Sequence, residues 1–384
     1  MIPYGKHHID GNDIKAVTKI LKSNNLTQGP TILNFERAIS KFVGSKYAVV
    51  VSSCTAGLHI ASMVAKNFKG KNLLTSPISF VSTANSSIFT GGNTIFCDVD
   101  PLTANLSINE IKNLYKKIKI NSISPVHFGG LPCDMKSLYK LNKSIKATIY
   151  EDAAHAFGAK YDKKNRVGSC KYSDMTVFSF HPVKSIAMGE GGCITTNNNK
   201  IYQQLLKLRN HGIQKDKKLF INKSNYKNSN WYYEMQELGY HYRSTDIQCA
   251  LGFSQLKKIN KFLNKRLKIA EKYDYEFSDL KNAFPLQFQK RKLSSNHLYI
   301  LLINFEKINK SRSQLMDEFK KKGIITQLHY IPIYKQPFYK HITKVKNFIN
   351  TESYFKKALS IPIFYDLKEK EQNHVIKVVK KIIG

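Results

Sequence analysis

Between residues 47 and 196 the chain repeats one unit: a short apolar run, a turn of small or polar residues, then a stretch with helical spacing. The runs at 47–51, 72–76, 94–98, 122–127, 147–150 and 175–180 are too brief for helices and rich in Ile, Val, Thr and aromatic residues. Alternation of this kind specifies an α/β fold, with a mostly parallel sheet covered by helices on both faces. In open sheets of that type, ligands sit beyond the carboxyl ends of the strands.

Two of those ends carry reactive groups. Asp152 follows the run at 147–150, and Lys184 follows the run at 175–180, with Ser179 beside it and the glycine-rich MGEGG turn after it. A lysine that forms a Schiff base, a carboxylate for a pyridinium nitrogen, and hydroxyls or helix-start amides for a phosphate are what a pyridoxal-phosphate site needs. One Asp and one Lys are also common as solvated or salt-bridged surface groups, so the pair by itself leaves both readings open. Ser53, Cys54, Thr55, Ala56 and Gly57 open a helix right after the first run, leaving N–H groups free at the positive end of its dipole. Serine and threonine there serve equally well as N-caps.

Composition narrows the partners. The formal charge of +34 suggests an anionic ligand or surface, yet only seven of the 61 basic residues are Arg, and the lysines are scattered along the chain. Readers of nucleic acid favour the guanidinium fork, so no nucleic-acid partner is expected. No apolar run approaches the roughly 20 residues of a membrane helix, and MIPYGKHHIDG lacks the apolar core of a signal peptide, so the expectation is a cytoplasmic protein with no membrane partner. The six cysteines form no CxxC pair, so neither a metal site nor a disulfide framework is expected. GxGxxG and GxxxxGK[ST] are absent, which removes support for dinucleotide and P-loop readings.

Flanking segments complete the outline. Residues 10–23 place Ile14, Val17, Ile20 and Leu21 at helical spacing, and the turn-rich NNLTQGP follows. A polar connection at 215–230 leads into a long helix whose apolar face holds Ile247, Ala250, Leu251, Phe253 and Leu256. Beyond it the pattern changes to helix, strand at 298–305 and a Lys-rich helix at 313–322, which indicates a smaller α+β domain. The expected division is 1–255 for the cofactor-binding domain and 256–384 for the small one.

The fragments EDAAHAFGA, SDMTVFSFHPVK and MGEGG follow one another in the order seen in the pyridoxal-phosphate nucleotide-sugar aminotransferases of the DegT/DnrJ family, which this chain resembles along nearly its whole length. The resemblance implies a fold type I aminotransferase in which Lys184 holds pyridoxal phosphate and later moves the proton. It also implies that Asp152 keeps the pyridine nitrogen protonated and that His155 meets the phenolic oxygen. Ser53, Cys54, Thr55, Ala56 and Ser179 would hold the phosphate, and Phe80 would stack on the ring. Tyr4, the segment Leu26, Thr27, Gln28 and Gly29, and the segment His329, Tyr330, Ile331 and Pro332 would border the substrate. In the family's LGxNYR motif an Asn reaches the phosphate of the partner subunit; His241 stands in its place here, which puts that single contact in doubt.

HPVK together with VHFGGLPCDM resembles the pseudaminic-acid branch. That implies a homodimer using L-glutamate and a UDP-linked 4-keto-6-deoxy-N-acetylhexosamine, aminated at C4, with pyridoxamine phosphate as the intermediate form. The alternative is the C5-epimeric sugar of a bacillosamine- or legionaminic-type route, or another nucleotide 4-keto-sugar. Relatives that dehydrate at C3 carry histidine in place of the lysine, so Lys184 argues against that chemistry. A non-enzymatic pyridoxal-phosphate sensor would need an added DNA-binding module, and none is visible.

Overall fold

The computed structural model describes residues 1–222, 225–342 and 347–384; the expected polar connection at 215–230 therefore lies partly outside the described residues. Its centre is a sheet of seven strands: β1 Tyr47–Val51, β2 Asn72–Thr75, β3 Asn93–Phe96, β4 Ser122–Ser124, β5 Thr148–Asp152, β6 Met175–Ser179 and β7 Gly192–Thr196. They lie in the order β1-β7-β6-β5-β4-β2-β3. All neighbours pair parallel except β7, which runs against both β1 and β6. β5, β6 and β7 are buried almost throughout, as strands covered on both faces must be.

The alternation therefore reads through to the fold, with two adjustments. Asp152 is the last residue of β5 rather than the residue after a strand, because its N–H still donates to the Pro125 carbonyl at 2.9 Å. The expected long helix is two: Asp246–Leu256 ends, and Ile259–Glu276 begins after Lys258, whose ammonium is held by Asp13 at 2.6 Å and Asp10 at 2.9 Å. The helix Gly11–Leu21 docks through that polar contact. Its buried side chain is Asp13, while Ile14 and Leu21 stay exposed.

A second, antiparallel sheet joins β10 Ala283–Pro285, β11 Tyr299–Ile303 and β12 Ala358–Ile361, after a two-stranded ribbon of β8 Ile213–Gln214 and β9 Glu234–Met235. One face of the helix Ile259–Glu276 feeds two cores: Ile259 and Phe262 pack with Phe35, Phe157 and Phe180, whereas Ile269, Ala270 and Tyr273 pack with Leu301, Phe319 and Val379. Ile2 joins the second of these cores, since Ile2 N–H donates to Gly323 O at 2.7 Å and Ile325 N–H to Ile2 O at 2.9 Å.

Candidate active site

The carboxyl ends of β5 and β6 open into a cavity of about 540 Å³. Its wall includes Tyr4, Ser53, Cys54, Thr55, Phe80, Asp152, His155, Ser179, Lys184, His329 and Tyr330. Eleven residues singled out on resemblance thus converge on one space from seven separate segments.

Close backbone approach makes this possible. The helix Cys54–Val64 starts against β7, and a Cβ on Gly192 would stand 2.7 Å from Cys54 N and 2.8 Å from Phe178 O. Only glycine lets the helix start and the sheet come so near. At its cap, Ser53 Oγ accepts the Ala56 N–H at 3.1 Å, so the capping role is realised and Ala56 lies outside the cavity wall. Thr55 keeps its place on the wall.

Asp152 is buried; it accepts the Thr83 hydroxyl at 2.5 Å and the Ala154 N–H at 3.0 Å. Burial lifts its pKa above the ordinary carboxylate value, with Thr83, Ala154 and the charge of Lys184 acting against the rise. Burial lowers the Lys184 ammonium to about 8, against the pull of Cys54 and Asp152, and the charge of Arg266 lowers it further. No carboxylate lies within ion-pair distance of Lys184 among the described residues. An amine at such a value is partly free near neutral pH, which suits condensation with an aldehyde and proton transfer.

His155 Nε2 lies 3.2 Å from the Tyr330 hydroxyl, and its Nδ1 is buried without a partner. Burial, with the charge of Lys184 second, holds this imidazole well below its usual pKa, so it stays neutral. Phe80 is 59 % exposed and borders the cavity, an apolar face free to take a flat ring. A buried carboxylate, a deprotonatable amine, an orphaned imidazole nitrogen and a bare aromatic face together fit pyridoxal phosphate.

Within one chain, other candidates lie elsewhere. Ile331 and Pro332 leave the wall after Tyr330. Leu26, Thr27, Gln28 and Gly29 do not line this cavity. Thr27 bridges to Thr245, and Gly29 and Thr31 N–H donate to the Asp246 carboxylate at 2.7 and 3.0 Å. Gln28 and Gly29 instead border a second hollow of about 360 Å³ with Arg209 and Arg243. His241, exposed and 5.4 Å from the His211 ring, bridges to Asn210, which borders the same hollow. One contact was not foreseen: His297 Nε2 lies 3.5 Å from Lys184 Nζ. No sequence pattern links residues so far apart, and a histidine before an apolar strand reads as core.

The sequence pattern of the DegT/DnrJ/EryC1/StrS aminotransferase family matches residues 7–380. The chain belongs to this family. Among relatives, the UDP-4-amino-4,6-dideoxy-N-acetyl-beta-L-altrosamine transaminase of Campylobacter jejuni is 36% identical over 379 residues, 98% of this chain and 96% of the relative. An uncharacterized Methanocaldococcus jannaschii protein is 37% identical over the same shares. Among solved structures, Helicobacter pylori PseC, described as an aminotransferase involved in the biosynthesis of pseudoaminic acid, superposes with a TM-score of 0.90 at 30% identity, covering 100% of this chain and 99% of that one. A putative sugar aminotransferase, Spr1654 from Streptococcus pneumoniae, reaches 0.87 in its PLP-form at 25% identity, with 100% of both chains covered. In this DegT/DnrJ/EryC1/StrS aminotransferase, Asp152 stands at the end of β5 and Lys184 after the end of β6, and both line the one cavity.

Proposed function

We propose that this family member transfers an amino group from L-glutamate, through pyridoxal phosphate and pyridoxamine phosphate, to C4 of a UDP-linked 4-keto-6-deoxy-N-acetylhexosamine. The product is UDP-4-amino-4,6-dideoxy-N-acetyl-L-altrosamine. The observation that carries the reading is the meeting of buried Asp152 and Lys184 on one cavity, in a chain that keeps 36% identity with a transaminase of that name along nearly its full length.

The bound cofactor supplies an electron sink for the carbon that loses its proton. Each surrounding side chain has a task. The Asp152 carboxylate holds a proton on the pyridine nitrogen, and Thr83 fixes which oxygen faces it. The Lys184 Nζ would hold the cofactor and, once released, would take the proton from the amino-bearing carbon and deliver it to the carbon on the other side of the nitrogen. His155, neutral and rigid, offers its hydrogen bond to the phenolic oxygen. Ser179 and Thr55 take the phosphate, and Phe80 covers the ring face. Tyr4, His329 and Tyr330 meet the sugar, and the 5.3 Å packing of Tyr4 on His329 shapes that wall.

The working unit is a homodimer. Ile14, Leu21, Leu26 and Leu33, on the two helices and the turn around Thr27 and Gln28, are exposed apolar side chains suited to contact with a second copy. In that arrangement, the Leu26–Gly29 and His241 groups close the partner's cavity rather than their own. Residues 1–255 act as the cofactor domain and 256–384 as the small domain, with the break after Leu256 as the joint. No disulfide joins the six cysteines among the described residues, which agrees with a cytoplasmic site of action.

The test is to mix pure protein with pyridoxal phosphate and L-glutamate and record the visible spectrum, then supply each C5 epimer of the UDP-4-keto sugar. Bleaching by glutamate, followed by recovery with the altrosamine-forming epimer, is expected. A spectrum indifferent to every amino donor would sink the transaminase reading, and recovery only with the other epimer would move the substrate to the alternative route.

A further inference from the structure

The contact between Lys184 and His297 belongs to a larger arrangement. Residues 295–298 are drawn onto the site by the HFGG turn: Ser295 N–H donates to Gly130 O at 3.1 Å, Leu298 N–H to Gly129 O at 3.2 Å, and Ser295 Oγ to His155 O at 2.6 Å. Gly130 has φ +101°, and a Cβ there would stand 2.2 Å from Ser295 Oγ and 3.1 Å from His297 N. The turn thus needs glycine to bring this segment so close.

From the helix Ile259–Glu276, Arg266 takes hold of the same segment. Its Nη1 donates to the Asn296 and His297 carbonyls, each at 3.4 Å, and to Ile363 O at 2.9 Å. Arg266 is 3 % exposed and forms no ion pair with a carboxylate among the described residues. A guanidinium buried without a counter-charge is costly and calls for a role. His297 is itself buried, with Nδ1 unpartnered and its ring 4.4 Å from that of His155. Burial, and then the charges of Lys184, His155, Arg266 and His329, keep it neutral, so one of its nitrogens is an acceptor. Nε2 is the nitrogen that faces the amine.

We propose that His297 is a positioning residue for Lys184: its Nε2 accepts a hydrogen from the Lys184 amine and turns the amine's lone pair to the cavity, while Arg266, which holds the His297 and Asn296 carbonyls, sets a buried positive charge near that amine and adds to its unprotonated share. The inference rests on Lys184 being the lysine that condenses with the cofactor. The groups facing Lys184 are Asp152 from β5, Cys54 from the helix start, Arg266, His155, His297 and His329. Arg266 and His297 have separable effects, one on charge and one on direction.

The test uses the full-length chain freed of cofactor and follows the rate of pyridoxal-phosphate uptake, at the visible band, from pH 6 to 10. The wild-type rate should climb with pH and level off near the Lys184 value of about 8. In R266Q the levelling should move up by about one unit, slowing uptake at pH 7 about tenfold with the same plateau. In H297F the plateau should drop about tenfold because the amine is no longer aimed. H297Q, whose amide oxygen can accept the same hydrogen, should recover most of it. Folded R266Q and H297F that both follow the wild-type curve overturn the inference. Should these variants not fold, ¹⁵N NMR of the wild-type chain decides: His297 protonated on Nδ1 and bare on Nε2 between pH 6 and 8 supports it, and a proton on Nε2 overturns it. Lys184→Ala is the control for the parent reading. An unchanged visible band in that variant removes Lys184 itself from the chemistry, whereas its loss beside an unaffected H297F and R266Q removes only His297 and Arg266.

Discussion

Glu151 and Asp152 are neighbours on β5, and because side chains alternate along a strand they face opposite sides of the sheet. On the Glu151 side every lone pair is occupied. His127 Nε2 lies 2.5 Å away, the Tyr161 hydroxyl 2.5 Å and the Thr176 hydroxyl 3.0 Å, with Ser173 as a fourth donor. His127 Nδ1 accepts the Cys133 N–H at 3.1 Å, which assigns the ring hydrogen to the nitrogen facing Glu151. On the Asp152 side there are two donors and an open cavity. Burial pulls both carboxyls upward, but the donors around Glu151 outweigh it and hold that group below the ordinary 4.5, while Asp152 stays above the ordinary 3.8. The same strand thus holds one carboxylate that is finished and one that waits for a partner.

The contrast fixes signs. Glu151 binds fewer protons folded than unfolded near its titration, so its stabilisation is complete above its ordinary value of 4.5 and is withdrawn as pH falls through its lower folded value. Asp152 does the reverse: ionising it at neutral pH works against folding, and a cation at the pyridine nitrogen offsets that cost.

Breaking the waiting side should cost catalysis most. Lys184→Ala is expected to lower turnover by at least about 10⁴-fold while leaving the urea midpoint near the wild-type value, measured by steady-state assay and denaturation in parallel. Next comes the finished side, where E151Q should remove about 3 kcal/mol of stability by disrupting a buried charged network. Its urea midpoint should fall, and the acid limb of the stability curve below pH 4.5 should flatten. A variant with the wild-type midpoint would erase the distinction drawn between the two carboxylates.

Thr83→Val touches the boundary between the two. Loss of the 2.5 Å hydroxyl donor should raise the Asp152 pKa further, reduce kcat about tenfold and carry the acid limb of the pH–rate profile to higher pH. An acid limb that stays in place would mean that Asp152 does not set it. Smallest of all, Lys272→Ala, which removes the exposed 3.0 Å pair with Glu369 far from either carboxylate, should change stability by less than about 0.5 kcal/mol in the same denaturation assay.

Much of the waiting side was legible in residue order. Short apolar runs that end in Asp152 and lead to Lys184, and small residues opening a helix after β1, are local patterns, and β1 itself lies at 47–51 as its alternation predicts. The finished side was not, because the donors to Glu151 come from positions 127, 161, 173 and 176, and only tertiary closure selects them among other polar residues. His297 escaped for the same reason, lying 113 residues beyond Lys184. The antiparallel course of β7 was not legible either, since apolar periodicity marks a strand without giving its direction. The outward turn of Ile14 and Leu21 reflects a competition that the sequence pattern cannot weigh, since the helix is seated by Asp13 on Lys258 and Gln255.

The pairing of Ile2 with residues 323–325 has a consequence for how the enzyme is made. Tyr4, which lines the cavity, is fixed by its carbonyl accepting the Ile363 N–H at 3.1 Å. One wall of the reaction chamber is therefore contributed by a segment whose backbone partners stand some 320 to 360 positions further along the chain. While translation runs, all seven strands of the large sheet exist before the backbone partners of Ile2 and Tyr4, which come some 320 residues or more later. A nascent chain can in this way complete its sheet and yet remain without a finished chamber.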